Sequence, residues 1–141
     1  MDDSCLKSLT VGTGSAARPI AVRARSGAAP GLFWLGGFKS DMRGTKAEAL
    51  DRWAAEKGRA CTRFDYSGHG ESGGTFEEGT IGRWLEESLA VFTTFCDGPQ
   101  VVVGSSMGGW LALLLLRALR KQEKAKASVC LLYTSPSPRD S

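Results

Sequence analysis

Apolar residues along this chain gather into short continuous runs separated by longer stretches with helical spacing. Leu32-Phe-Trp-Leu35 and Gln100-Val-Val-Val103 are runs of the kind that fill a strand buried on both faces, and Ala60 to Asp65 and Ser128 to Tyr133 read as two more. Ile20 to Ala24 fits an edge strand, broken by Ser26-Gly-Ala-Ala-Pro30. Residues up to about 18, rich in Ser, Thr and Gly and without periodicity, suit either a mobile lead-in or a weak first strand. Between the strands, Ala47, Leu50, Trp53 and Ala54 form one helical stripe. Thr45 and Glu48 have capping-box spacing at its start, and Gly58 is placed to cap its end. Ile81, Trp84, Leu85, Leu89 and Phe92 mark a second helix from about Ile81 to Phe95. A third opens with Trp110 to Leu116, apolar on all sides, which predicts a helix lying inside the fold. Its far end carries Arg117, Arg120, Lys121, Lys124 and Lys126, cations that offset the negative end of a helix dipole.

Strand and helix alternating in this way is the βαβ pattern of a parallel sheet covered on both faces, so the expected class is α/β, a three-layer sandwich on a mostly parallel sheet. The division expected is a flexible lead-in over 1–18, one domain over 19–133, and a Ser/Pro tail over 134–141 with nothing apolar to bury.

Composition narrows the classes of function. With 141 residues, 42% of them hydrophobic and 23% charged, there is room for one packed domain. The net charge of +3 is spread without a basic block, which points away from nucleic acid and anionic membranes. The longest apolar run, Trp110 to Leu116, falls well short of the roughly 20 residues that span a bilayer. Cys5, Cys61, Cys96 and Cys130 show no CxxC pairing, and His69 is the single histidine, so reduced thiols and no metal are expected. Asp2 and Asp3 with few large apolar neighbours do not make a secretory signal, and Arg18, Arg23 and Arg25 give only a faint presequence pattern. An intracellular site, cytoplasmic or mitochondrial, is expected.

The chemistry concentrates at Gly104-x-Ser106-x-Gly108, which follows a buried strand directly and precedes a helix. That is the setting of a nucleophile elbow, where glycines let the chain reverse tightly and the serine projects its hydroxyl from a strained apex. An acyl-transfer serine needs donors for the oxyanion of its tetrahedral intermediate; the backbone N–H of Met107 is the expected first and that of Phe38, in the Gly36-Gly37-Phe38 loop, the second. Asp65-Tyr-Ser-Gly-His-Gly-Glu-Ser72 holds the only histidine, but its loop follows a strand beyond the oxyanion strand, away from Ser106. His69 and Asp65 are therefore expected to organise their turn by hydrogen bonds.

Four segments in order carry a resemblance: Leu35-Gly-Gly-Phe-Lys-Ser-Asp-Met-Arg-Gly-Thr-Lys46, Phe64-Asp-Tyr-Ser-Gly-His-Gly-Glu-Ser72, Gly79-Thr-Ile-Gly-Arg-Trp-Leu85 and Val103-Gly-Ser-Ser-Met-Gly-Gly-Trp110. Over about residues 20 to 133 the chain resembles the α/β-hydrolase branch that contains the mitochondrial acyl-protein (palmitoyl) thioesterase, which also cleaves acyl glucuronides, and its bacterial relatives. The resemblance implies a partial α/β-hydrolase fold with Ser106 as nucleophile and Phe38 and Met107 as oxyanion donors. It also implies hydrolysis of a small-molecule or acylated-protein ester or thioester through an acyl-serine, with no cofactor.

The family's triad runs Ser, Asp, His, and no histidine follows Ser106. The tail from Cys130 to Asp140 looks like translated sequencing adaptor, so a C-terminally truncated gene model is expected. As a fragment it should be nearly inactive, since a neutral hydroxyl attacks only as its proton is removed, and it should be prone to aggregate along its exposed edge. Two other readings stay open: a non-catalytic binding protein or pseudoenzyme, and an acyltransferase or lyase sharing the fold.

Overall fold

β-branched and aromatic side chains suit the pleated, half-buried surface of a sheet, and here they set the strands. The computed structural model describes residues 5–121 and the backbone of 129–134. In chain order the elements are β1 (Cys5–Val11), β2 (Arg18–Arg25), β3 (Ala28–Leu35), α1 (Thr45–Lys57), β4 (Arg59–Phe64), α2 (Ile81–Phe95), β5 (Gln100–Ser105), α3 (Met107–Lys121) and β6 (Val129–Thr134). The sheet order is β1-β2-β4-β3-β5-β6; β1, β2 and β4 pair antiparallel, and β4, β3, β5 and β6 run parallel.

Alternation along β3 divides the core into two layers. Phe33 and Leu35 face Trp84, Val91 and Phe92 of α2 and Leu111 and Leu115 of α3. Leu32 and Trp34 point to the other side, where Leu50 and Ala54 of α1 meet Leu32, and Ala47 meets Trp34 with Val103. This is the expected three-layer α/β arrangement. Parallel pairing of Leu35 with Gly104 puts the loops after β3 and β5 side by side, whereas β4 lies on the far flank of β3. The loop containing His69 is thus separated from Ser106 by a strand.

The structure departs from the sequence reading in several places. Of the two readings of the stretch up to about 18, the described residues show the weak first strand and not the flexible lead-in: β1 pairs along its length with β2, and only Val11 of it is buried, which is why its side chains carry no periodic signal. Consequently β2 is interior rather than an edge. The strand break ends earlier than expected, since β3 begins at Ala28. Helix α1 has Gly44 at its N-cap without a side-chain cap; Glu48, expected to close a capping box, reaches the buried Arg63 guanidinium at 3.2 Å instead. Gly58 does cap α1 in the left-handed region. Trp53 is 44% exposed, and Asp51 takes the buried face between Ala47 and Ala54. Helix α3 is one-sided among the described residues: Leu111, Leu115 and Leu119 are buried, whereas Trp110 and Leu113 are exposed. Lys124, Lys126 and the tail over 135–141 lie outside the described residues.

Asp51 explains how α1 is fastened to the sheet. Its carboxylate accepts a forked pair from Arg25 at 3.0 and 2.9 Å and a third bond from Arg63 at 3.3 Å. Arg63 also donates to the carbonyl of Met42 at 2.6 Å, carrying the tie into the loop that precedes α1. Replacing Asp51 leaves the buried Arg63 and the partly buried Arg25 without their shared anion. Asp51→Leu is therefore expected to destabilise the fold by about 3–5 kcal/mol, read as a lowered midpoint in urea unfolding.

Candidate active site

The site is built where three loops meet at the carboxyl ends of parallel strands, the place open α/β sheets present to ligands. Strand β5 passes into α3 through Ser106, whose φ of 57° lies in the left-handed region. A non-glycine residue there costs about 1–3 kcal/mol and persists only where its surroundings hold it. The surroundings are close: a methyl group added to Gly108 would collide with the carbonyls of Leu35 and Gly36, and one added to Gly104 would sit 2.7 Å from the Cα of Gly109. Bare backbone at 104 and 108 thus lets the first turn of α3 press against the end of β3.

The glycine loop after β3 lies alongside at ordinary contact distance. A methyl on Gly37 would lie 3.4 Å from the Cβ of Ser106 and 3.4 Å from the carbonyl of Ser105. Residues 37 to 40 form a turn closed by the Ser40 N–H to the Gly37 carbonyl at 3.1 Å. Its third residue, Lys39, has φ 61°; among the described residues, Lys39 and Ser106 are the non-glycine residues with positive φ. These two positive-φ residues sit on the two loops that adjoin at the candidate centre.

Side chains from the turn after β4 hold the glycine loop in place. The Tyr66 hydroxyl donates to the Gly36 carbonyl at 2.8 Å, and the Lys39 N–H donates to His69 Nε2 at 3.1 Å. Asp65 accepts from the Met42 N–H at 2.7 Å and the Glu71 N–H at 2.8 Å. Burial pushes the Asp65 carboxyl above its ordinary range even though these two N–H bonds favour the anion. Burial, with Glu87 near, likewise raises the Tyr66 phenol and keeps it a donor. Asp65 and His69 make the organising hydrogen bonds expected of them, with partners that belong to two loops and not to one turn alone.

Beneath that turn lies Glu87, fully buried in the middle of α2. It accepts from the N–H and hydroxyl of Ser67 and from Arg18 Nε at 2.7 Å. The sequence reading passed over Glu87, Arg18, Tyr66 and Lys39. One signal was available: Glu87 stands between Trp84 and Val91 on the buried stripe of α2, where an acid is unstable without a partner.

Phe38 and Trp110, which sequence placed near the serine, are 50% and 55% exposed, while Met107 is partly buried against the main core. Alongside Gly37 and Ser105 a cleft of about 260 Å³ opens, lined also by Trp34, Lys39, Ser40 and Lys46. Lys46 Nζ stands 3.4 Å from the hydroxyl of Ser105 at its base. Among the described residues no cluster of ligating side chains fits a metal ion, and no helix is long and apolar enough to cross a membrane.

Known proteins resemble this chain in sequence and fold. Residues 16–141 match the sequence profile described as Alpha/beta hydrolase family. Over 110 residues the chain is 43% identical to the mitochondrial palmitoyl-protein thioesterase ABHD10 of Homo sapiens, an alignment covering 78% of this chain and 35% of that protein. A putative hydrolase from Agrobacterium vitis superposes with a TM-score of 0.88 at 48% identity, covering 92% of this chain and 51% of the other. Mouse alpha/beta hydrolase domain-containing protein 10 superposes with a TM-score of 0.80 at 34% identity, covering 92% and 48%. The chain spans about a third of the length of the curated relative and about half of the two solved chains.

The close approach at Gly108 is testable. Gly108→Ala drives a methyl group into backbone carbonyls that cannot rotate away, so destabilisation of about 2–3 kcal/mol is expected, read as a fall in the midpoint of thermal or urea unfolding.

Proposed function

This chain belongs to the alpha/beta hydrolase family, and from that premise we propose that it supplies the nucleophile and oxyanion hole of a serine hydrolase acting on carboxylic esters or thioesters. The observation that carries the reading is the meeting of Ser106, in its left-handed turn, with the Gly37–Ser40 loop. Two positive-φ residues on adjoining loops, one of them at the strand-to-helix reversal, accord with a nucleophile elbow beside its oxyanion loop.

In this reading Ser106 Oγ attacks the carbonyl carbon of the substrate and loses its proton to a base. The backbone N–H groups of Met107 and Phe38 stabilise the oxyanion that forms. The alcohol or thiol departs, leaving an acyl-serine that water then hydrolyses. No cofactor takes part in these steps. The similarity to the mitochondrial palmitoyl-protein thioesterase supports a thioester substrate and a mitochondrial setting, and an acylated protein or a small acyl ester would both present the required carbonyl.

Within residues 1–141 the only imidazole, His69, is engaged by Lys39 and Ser67 on the far flank of β3. The general base and its acid then come from polypeptide outside these residues, and the 141-residue chain by itself is close to inactive. A fluorophosphonate probe and a palmitoyl thioester assay test both halves of the proposal. The 141-residue chain should label and turn over at background. A longer product of the same gene that supplies an Asp and a late His should hydrolyse thioester, and Ser106→Ala in it should lower kcat by at least about a thousandfold. Undiminished turnover by Ser106→Ala would remove the serine from the mechanism. Absence of turnover in the longer product as well would favour a non-catalytic binding protein.

A further inference from the structure

The direction of the Phe38 N–H is fixed by the Gly37–Ser40 turn, and that turn depends on Lys39 remaining at φ 61°. Lysine has no intrinsic preference for that conformation, so something outside the loop must maintain it. The Lys39 ammonium lies 5.4 Å from the centre of the Phe76 ring, but it is the bond from the Lys39 N–H to His69 Nε2 that reaches the backbone of the turn from outside.

The chemistry of the ring follows from its two partners. Nδ1 stands 3.1 Å from the carbonyl oxygen of Ser67, which only accepts, so Nδ1 carries the proton. Nε2 faces an N–H, which only donates, so Nε2 presents a lone pair. His69 is 5% exposed and enclosed by the rings of Phe38, Tyr66, Phe76 and Trp84, with centroids 5.3 to 6.4 Å away. Ser67 is held in turn: Glu87 accepts from its N–H and hydroxyl, and Trp84 Nε1 donates to its carbonyl at 3.3 Å. A continuous series of hydrogen bonds therefore runs from buried Glu87 through Ser67 and His69 to the backbone beside Phe38.

Resting on the serine hydrolase reading, we infer that His69 is a positioning residue for the oxyanion hole. It works as a neutral acceptor that holds Lys39, and through Lys39 the Phe38 N–H, in the geometry the oxyanion requires. It touches no reacting atom and moves no proton in the reaction.

Nitrogen-15 NMR of the imidazole in the 141-residue chain gives the first test and needs no substitution. Nδ1 should resonate as a protonated nitrogen and Nε2 as an unprotonated acceptor coupled to the Lys39 amide; a proton on Nε2 would overturn the inference. In the longer, active gene product, His69→Phe should lower kcat about tenfold to a hundredfold, within the range for loss of an oxyanion donor, with KM changed less than about twofold. His69→Gln, which keeps an acceptor, should recover most of the lost kcat. If His69→Phe fails to fold, the NMR result and His69→Gln still decide. A fall in thermal stability with kcat unchanged would make His69 structural only. Failure of the underlying reading looks different, because Ser106→Ala would then retain activity whatever His69 does.

Discussion

The close approach of the first turn of α3 to the end of β3 is the constraint on which the candidate site depends. Carbonyl oxygens of Leu35 and Gly36 occupy the space that a side chain at position 108 would need. Only bare backbone allows the helix that follows Ser106 to begin against the strand that delivers the Gly37–Ser40 loop. Once the two are that close, Ser106 has little choice of conformation, and its positive φ follows from the packing around it.

A second layer of control comes from polar groups buried beneath the loops. Glu87 and Asp65 are carboxylates taken out of water, and each is surrounded by donors from separate parts of the chain: Arg18 and Ser67 for the first, Met42 and Glu71 for the second. Burial of a charge is tolerated when its lone pairs are filled, and the same bonds give directional registration that apolar contact does not. Tyr66 and His69 extend that registration to the backbone of residues 36 and 39. The Asp51 cluster does similar work for α1, so the loop between β3 and α1 is tied at both ends.

Much of this arrangement was legible beforehand. The runs Leu32–Leu35 and Gln100–Val103 are dense enough in large apolar residues to be buried strands in any α/β context, and the second helix was expected over the range it occupies. The glycine spacing around Ser106 marked a tight strand-to-helix reversal because few other residues permit one. Less legible were β1, whose side chains mostly face solvent, and the buried acids, whose residue type argues for the surface until partners are known. Trp53 and Trp110 misled in the opposite sense, since apolar character at helical spacing does not say how far the neighbouring layer extends.

What the sequence by itself determined is the set of elements, their alternation and the position of the reversal at Ser106, all of which depend on local periodicity and on the steric needs of adjacent residues. Tertiary structure alone decided which side chains hold the Gly37–Ser40 loop. Arg18, Tyr66, His69 and Glu87 lie far from Lys39 along the chain or on other elements, and the last links to the loop, from the Tyr66 hydroxyl to the Gly36 carbonyl and from the Lys39 N–H to His69, are single hydrogen bonds to backbone atoms. Every residue offers the same N–H and C=O, so no residue type in the sequence records that Lys39 is held by His69; sheet order and strand register bring the two together.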